Sequence, residues 1–153
     1  MKVRILLVGK TQRGMVADGI AEYLERAKRM VQVEEVVLAE AGTGAPAYQQ
    51  RVECERIMAA LRPGERVVAL DERGVHLTSP AFAERLGKWR DQGVKQTTFV
   101  VGGAYGLTDE VRERADLVLA LSAMTFPHQL VRVLFAEQLY RAYSILHGTP
   151  YHH

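Results

Sequence analysis

Apolar and polar positions alternate along the chain in blocks that predict strands and helices in turn. Short apolar runs, mostly rich in β-branched residues and bounded by glycine, proline or charged residues, are typical of buried strands. Five such runs predict strands at 3–8, 31–38, 66–70, 97–101 and 116–121. The intervening segments predict helices at 14–29, 48–61, 80–90, just after 108, and 127–147. Strands that alternate with helices in this way predict an α/β fold, with a mainly parallel sheet sandwiched by helices.

Turn-forming residues predict where several of these elements begin and end. Ser79, which precedes a proline, is expected to cap the third helix, and Thr108 to cap the fourth. Pro127 is expected to start the last helix. Residues 71–74 (Asp-Glu-Arg-Gly) are expected to turn away from the third strand, and the Gly- and Pro-rich segment 39–47 to form a mobile loop.

Composition limits the classes of partner. The chain has 153 residues, of which 48% are hydrophobic and 25% charged, which predicts one domain, 1–153, of ordinary globular type. A net charge of only +2 gives no general signal for binding polyanions, so neither a membrane nor DNA is a predicted partner. RNA contact would need a local basic patch, for which the candidate cations are Arg4, Lys10, Arg13, Arg132 and Arg141.

Cysteine usage and the N-terminal segment favour the cytoplasm. Cys54 is the only cysteine, so no disulfide can form within the chain, which fits a reducing compartment. It lies between Glu53 and Glu55, whose charges oppose a thiolate, so Cys54 is not a predicted nucleophile. The apolar run at 3–8 is too short for a signal peptide or a membrane span.

The ends of three predicted strands carry the candidate chemistry. In an open parallel sheet, ligands bind at the carboxyl ends of the strands. Here those ends are Leu70-Asp71, the Gly-rich turn 102–106 and the segment 121–126, which would form one pocket if the strands are neighbours. Glycines let the backbone approach a ligand closely, and the third segment offers apolar side chains beside the hydroxyls of Ser122 and Thr125. No Gly-x-Gly-x-x-Gly or P-loop is present, so nucleotide phosphates are not the obvious ligand.

Histidines near the C-terminal end have two open interpretations. His128, in the first turn of the last helix, is either a surface residue or points into the predicted pocket as a neutral base or donor. His147, His152 and His153 lack companion ligands at a standard spacing, so no metal site is predicted. Tyr151 and the histidines beside it are suited to stacking on an unpaired RNA base.

The last helix carries a broad apolar face. Val131, Phe135 and Leu139 lie on it at helical spacing, and Leu130 and Leu134 widen it. Packing on the protein's own sheet and contact with a second copy explain this face equally well. Glu137 and Arg141 are four residues apart, in the order that favours an ion pair.

Four motifs together make the chain closely similar to a known family. They are Phe-Val-Val-Gly-Gly-Ala-Tyr-Gly-Leu at 99–107, Leu-Ser-Ala-Met-Thr-Phe-Pro-His-Gln-Leu-Val-Arg-Val-Leu at 121–134, Glu-Gln-Leu-Tyr-Arg-Ala at 137–142 and Gly-Thr-Pro-Tyr-His at 148–152. The chain resembles the RlmH family of SPOUT-class methyltransferases over essentially its whole length. It departs from the family pattern at His153, where a lysine or arginine often stands.

This resemblance implies a SPOUT fold with a C-terminal trefoil knot, a known exception to the rule against knots. It also implies a homodimer that binds S-adenosyl-L-methionine and methylates N3 of pseudouridine 1915 in 23S ribosomal RNA within the ribosome. By resemblance, the tail of one subunit lies near the cofactor of the other. The residues implied to contact the cofactor are Leu70, Gly102, Leu121, Ser122, Ala123, Met124, Thr125 and Phe126.

The implied reaction needs a group that removes or stabilises the imide proton of the acceptor. His128 and His152 are both candidates, and Arg141 and Tyr151 are candidate positioning groups. A target base inside folded RNA must be flipped out to reach such a pocket. Two alternatives stay open: a non-catalytic RNA-binding or ribosome-assembly factor with the same fold, and a different nucleotide-binding α/β enzyme.

Overall fold

The five predicted strands form one parallel sheet in the computed structural model, which describes residues 1–153. The strand order is β2-β1-β4-β3-β5. In chain order the elements are β1 (Lys2–Val8), α1 (Met15–Ala27), β2 (Val33–Leu38), α2 (Pro46–Ala60), β3 (Arg66–His76), α3 (Ser79–Asp91), β4 (Gln96–Val101), α4 (Asp109–Arg114), β5 (Leu117–Ala120) and α5 (His128–Leu146). The predicted α/β class is confirmed.

Helices cover both faces of the sheet, because its strands are apolar on both sides. In β1, Val3, Ile5 and Leu7 belong to a core that includes buried residues of α1, α3 and α5. The alternate residues Leu6 and Val8 belong to a second, smaller core with α2 and α4. The period of two along β1 thus divides its side chains between two helix layers.

The third strand is longer than the sequence pattern predicts. Residues 71–74 do not turn away, because β3 continues through them to His76. Leu119 of β5 is paired both with Leu70 and with Val75, so the four intervening residues form a bulge. Gly74 makes this possible, since a Cβ there would lie 2.5 Å from the carbonyl oxygen of Val118.

One of the two predicted helix caps is placed differently in the structure, and the other lies where predicted but makes no cap hydrogen bond. Thr78, rather than Ser79, caps α3, and its Oγ1 accepts a hydrogen bond from the Ala81 amide at 3.2 Å. Ser79 instead donates to Gln138 of α5 at 2.6 Å. Thr108 occupies the cap position of α4, but its hydroxyl is buried without a partner. For Ser79, a tertiary contact that the local pattern does not contain decides the role of the hydroxyl.

The last helix packs on its own sheet through a face rotated from the predicted one. Its buried residues include Arg132, Phe135, Leu139 and Tyr143. Burial raises the pKa of the Tyr143 hydroxyl to about 12. Leu130, Leu134 and Val131 are only half-buried, so part of the predicted apolar face is not covered by the chain itself. No helix in the fold has the length and apolar character needed to cross a bilayer.

A buried ion pair joins β1 and β4 to the residue before β3, at the edge of the sheet opposite the candidate pocket. Arg4 is 3% exposed, and its guanidinium lies 3.1 Å from the carboxylate of Glu65. Glu65 also accepts hydrogen bonds from Thr98 and Gln96, each at 2.6 Å. Burial alone would raise the pKa of Glu65, but these hydrogen bonds and the Arg4 charge outweigh it and hold the pKa below its ordinary value.

Glu65→Gln is expected to lower the free energy of unfolding by about 3 kcal/mol at neutral pH, because it leaves Arg4 buried without a counter-charge. Since the pKa of Glu65 is lowered on folding, its contribution is present above the ordinary glutamate pKa of about 4.3 and is lost as the pH falls below it. The difference between wild type and variant in urea unfolding should therefore shrink between about pH 5 and pH 3. Glu22→Gln, which breaks the exposed pair with Arg26, should change stability by less than about 1 kcal/mol. A difference for Glu65→Gln that is independent of pH would contradict this assignment.

Candidate active site

The three predicted strand ends meet at one cavity. The strands β4, β3 and β5 are neighbours in the sheet, so the segments that follow them leave the same edge side by side. They line a cavity of about 480 Å³, which is within the usual size of a small-molecule site. The bulge of β3, the Gly-rich turn after β4 and the segment between β5 and α5 each form part of its wall.

Most of the residues implied to contact a cofactor line this cavity. They are Leu70, Gly102, Leu121, Ser122, Met124, Thr125 and Phe126. Ala123 is exposed on the same segment and is not part of the wall. His128 also lines the cavity, so it lies at the predicted pocket and not on a remote surface.

The Gly-rich turn is held closely against α2. Gly106, at φ 76°, donates its amide to the Gly103 carbonyl at 3.1 Å and closes the turn. Gln50 of α2 donates to the carbonyls of Tyr105 at 2.9 Å and Leu107 at 3.2 Å. The Glu53 carboxylate packs against Gly103, where a Cβ would lie 2.7 Å from its Oε1. Glycine at 103 is therefore required by close approach, and α2 fixes the turn from outside the cavity.

The segment after β5 forms the opposite wall and is tied to the bulge of β3. The Met124 amide donates to Ser122 Oγ at 3.0 Å, and the Thr125 hydroxyl donates to Glu72 at 3.3 Å. Met124 itself is 75% exposed at the rim of the cavity. These contacts use both of the predicted hydroxyls to shape the segment.

A charged cluster lies in the cavity wall between the bulge and α4. Arg112 forms a salt bridge with Asp71 at 2.9 Å and donates to the Leu107 carbonyl at 2.7 Å. A hydrogen bond from Arg112 to Asp109 is the main cause of its raised pKa, and the pairing with Asp71 adds to it. The charge of Arg112 is thus compensated by two carboxylates. Arg73, which also lines the cavity, is exposed and forms no ion pair, so it is the one arginine of the wall without a carboxylate partner.

The C-terminal tail lies outside this cavity, against α5 of the same chain. Tyr151 donates its hydroxyl to Glu137 at 3.0 Å, and its ring lies 4.7 Å from the Arg141 guanidinium. Burial, followed by the hydrogen bond to Glu137, raises the pKa of Tyr151 to about 12. Tyr151 and Arg141 border a second cavity of about 590 Å³, which shares the residues Leu121, Ser122 and Phe126 with the first.

His152 contacts Arg141 through its ring. Arg141 lies 3.1 Å from His152 Nδ1 and is itself bound to Glu137 at 2.7 Å. Since an arginine can only donate, Nδ1 is the acceptor in this contact, which leaves Nε2 to face other groups. One chain therefore places His128 at the first cavity and Glu137, Arg141 and Tyr151 at the second, with His152 bound to Arg141.

Two of the five residues predicted to form a basic patch are buried, so the prediction is wrong for them. Arg4 is buried in the ion pair with Glu65, and Arg132 is 2% exposed beneath the loop after β1. Lys10 and Arg13 are exposed, as a patch requires. The sequence does not distinguish these cases, because an arginine in a strand or on an apolar helix face has the same local pattern whether it is solvated or buried.

Three residues of the site were missed by sequence reasoning. Arg112 has no predicted role, although its position three residues after Asp109 is a usable signal for an ion pair. Glu137 was identified only as the partner of Arg141, and its contact with Tyr151 depends on the path of the tail. Gln50 carries no local signal, because the carbonyls that it binds are more than fifty residues away.

Comparison with known proteins bears on the family of the chain. A family model described as Predicted SPOUT methyltransferase matches residues 1–152. A protein of Geobacter metallireducens named Ribosomal RNA large subunit methyltransferase H is 50% identical, with 100% of this chain and 99% of the relative aligned. A protein of the same name from Rhodospirillum centenum is 47% identical, with 99% of each chain aligned.

Solved structures show the same fold at low sequence identity. A probable methyltransferase from Bordetella pertussis has a TM-score of 0.59 at 16% identity, over 92% of this chain and 95% of its own. A probable methylase family protein from Haemophilus influenzae has a TM-score of 0.55 at 14% identity, over 95% of this chain and 66% of its own. Together with the family match and the full-length relatives, they lead to one conclusion: the chain belongs to the SPOUT methyltransferase family, in the group named ribosomal RNA large subunit methyltransferase H.

Proposed function

We propose that this protein is an S-adenosyl-L-methionine-dependent methyltransferase that acts on N3 of pseudouridine 1915 in 23S ribosomal RNA within the ribosome. The proposal rests on family membership and on the names of relatives about half identical over their full length. The observation that carries it is the meeting of three strand-end segments at one cavity lined by His128. The same reasoning places its work in the cytoplasm, where ribosomes are found.

The cavity fits a cofactor that has apolar parts and a positive charge. Leu121, Met124 and Phe126 provide apolar surface, and the turn at 102–106 provides backbone polar groups. The carboxylates of Asp71 and Glu72 also line it, and Arg112 is neutralised by its own partners. When bound, the sulfonium of S-adenosyl-L-methionine supplies an electrophilic methyl group. The residues implied to hold it are those of the cavity wall, together with Ala123 on the same segment.

The chain's own residues must handle the imide proton of the acceptor. His128 is the candidate base, because it lies in the cavity wall at the first turn of α5. His152, whose Nδ1 accepts from Arg141, is suited to donate a hydrogen bond through Nε2 to a carbonyl that gains negative charge as the proton leaves. Tyr151 stays protonated at neutral pH, since its pKa is about 12, and its proton is used in the hydrogen bond to Glu137. Arg141 and Glu137 orient both groups.

The protein is proposed to act as a homodimer in which the tail of one chain completes the cavity of the other. Two features support this arrangement. The group Arg141, Tyr151 and His152 does not line the first cavity of its own chain. Half-buried apolar residues of α5, including Leu130 and Leu134, are left for a partner to cover.

The chain as a whole is proposed to form one methyltransferase domain. All five strands belong to one sheet, which spans residues 2–120, and α5 packs back on α1 and α3. The trefoil knot implied by the resemblance stays a prediction. The convergence of the segments after β3, β4 and β5 is the arrangement that such a knot would produce.

Gly102→Val is expected to weaken binding of S-adenosyl-L-methionine by about tenfold or more, because even a Cβ at 102 would lie 3.0 Å from Leu107 and displace the turn. Isothermal titration calorimetry measures the affinity, and thermal unfolding confirms that the variant is folded. Ala47→Val, at an exposed site on α2, is the control and should bind normally. If the wild-type protein bound no S-adenosyl-L-methionine, it would instead be an assembly factor of the same fold.

Mixing two impaired variants should restore methyl transfer if the tail acts in the partner's site. Gly102→Val distorts the cavity and His152→Ala removes the imidazole of the tail, so a mixed dimer keeps one site in which both parts are intact. Random mixing should recover about a quarter of wild-type activity, because half of the dimers are mixed and each has one of two sites intact. Activity is measured as methyl incorporation into large ribosomal subunits that lack the modification, followed by mass spectrometry of the rRNA. Recovery no greater than the sum of the separate variants would show that the tail serves its own chain.

A further inference from the structure

The loop between β1 and α1, residues 9–14, carries two exposed cations without ion-pair partners. Lys10 and Arg13 are both exposed, and neither lies within 4.0 Å of a carboxylate. Most other arginines of the protein are paired with carboxylates or bound to carbonyl groups. Two acidic residues of adjoining segments, Asp18 in α1 and Glu40 after β2, are also exposed, and neither is paired with them. The two cations are therefore free to bind an anion from outside.

The backbone of this loop is bound to the first turns of α5. Gln129 accepts a hydrogen bond from the Gln12 amide at 3.0 Å and donates to the Lys10 carbonyl at 3.2 Å. Arg132 donates to the Gly9 carbonyl and to the Thr11 hydroxyl, each at 3.0 Å. The four loop residues 9–12 are thus hydrogen-bonded to two residues of α5, Gln129 and Arg132, which fix the loop against the helix.

Holding the loop in this way has a substantial energetic cost. Arg132 is 2% exposed, has no carboxylate within ion-pair distance and keeps its Nε without a partner. Burial lowers the pKa of Arg132, against the smaller opposing effect of Glu40 and Glu35. Burying a cation that binds only carbonyls and a hydroxyl costs desolvation free energy, and here that cost serves to fix a surface loop. A cost of this kind is typical of a segment whose geometry matters for function.

The same turn of α5 also forms part of the candidate cavity. His128, which lines the cavity, is adjacent to Gln129, which binds the loop. The loop and the cavity wall are therefore fixed to one rigid element only one residue apart. A chain that enters the cavity with a flipped base extends a charged backbone on either side of it.

We propose that Lys10 and Arg13 bind phosphates of the ribosomal RNA strand that flanks the target nucleotide. This inference rests on the proposed function, which supplies the RNA. The loop then acts as a preformed docking surface for the RNA backbone, and α5 sets its position relative to the cavity. Phosphate contacts of this kind position a strand without reading its sequence.

The test is a double charge reversal, Lys10→Glu with Arg13→Glu, compared with a matched reversal elsewhere. Lys2 and Lys95 are exposed at the opposite edge of the sheet, so Lys2→Glu with Lys95→Glu changes the net charge equally. The loop variant should bind large ribosomal subunits at least about tenfold more weakly. The slope of log affinity against log salt concentration should become shallower by about the amount that two phosphate contacts contribute. Affinity for S-adenosyl-L-methionine should be unchanged. The opposite-edge variant should bind subunits like the wild type.

Binding is measured by sedimentation with ribosomal subunits, so it does not depend on methyl transfer. Equal losses in the two reversals, or no loss in the loop variant, would overturn the inference. A loop variant that loses its dimer in light scattering would also overturn it and assign the loop to protein contact. Lys10→Ala with Arg13→Ala gives a milder variant if charge reversal impairs folding. Failure of the proposed function is a separate result, namely a wild-type protein that binds subunits but transfers no methyl group.

Discussion

The parallel pairing of β3 with both β4 and β5 is the constraint on which the candidate site depends. It brings the ends of three strands to one edge in adjacent positions, so the segments that follow them share a cavity. The pairing of β3 with β5 is interrupted by the bulge at 71–74 and resumes at Val75. That bulge supplies Asp71 and Glu72 to the cavity wall, and Glu72 contacts Thr125 on the opposite side.

Local sequence pattern was sufficient for the sheet but not for the details that shape the site. The β-branched runs predicted all five strands. The prediction that three strand ends meet was correct because β4, β3 and β5 are neighbours in the sheet. The continuation of β3 through Asp-Glu-Arg-Gly could not be predicted, because it depends on the backbone of β5 fitting against Gly74. The burial of Arg4 and Arg132 was also missed, since the groups that bind them are distant in sequence.

The candidate catalytic groups are divided between two places, and electrostatics explains the division. Tyr151, Arg141 and Glu137 form a compact cluster in which each charge or hydroxyl has a partner, so the tail is stable against its own helix. His128 lies apart, in the wall of the first cavity, where Arg112 is paired with carboxylates. The cluster of Tyr151, Arg141 and Glu137 is thus suited to orient a base. The first cavity is suited to hold an uncharged or cationic ligand. A dimer is the simplest way to bring the two together.

Gly74 has a consequence that reaches beyond folding. Its α-hydrogen faces the peptide group between Val118 and Leu119, and any heavier substituent would meet three backbone atoms within 2.7 Å. Backbone atoms, unlike a flexible side chain, cannot move aside without separating β5 from β3. The neighbouring strand therefore restricts position 74 to glycine, and this restriction keeps the adjacent residues Asp71 and Glu72 in the cavity wall.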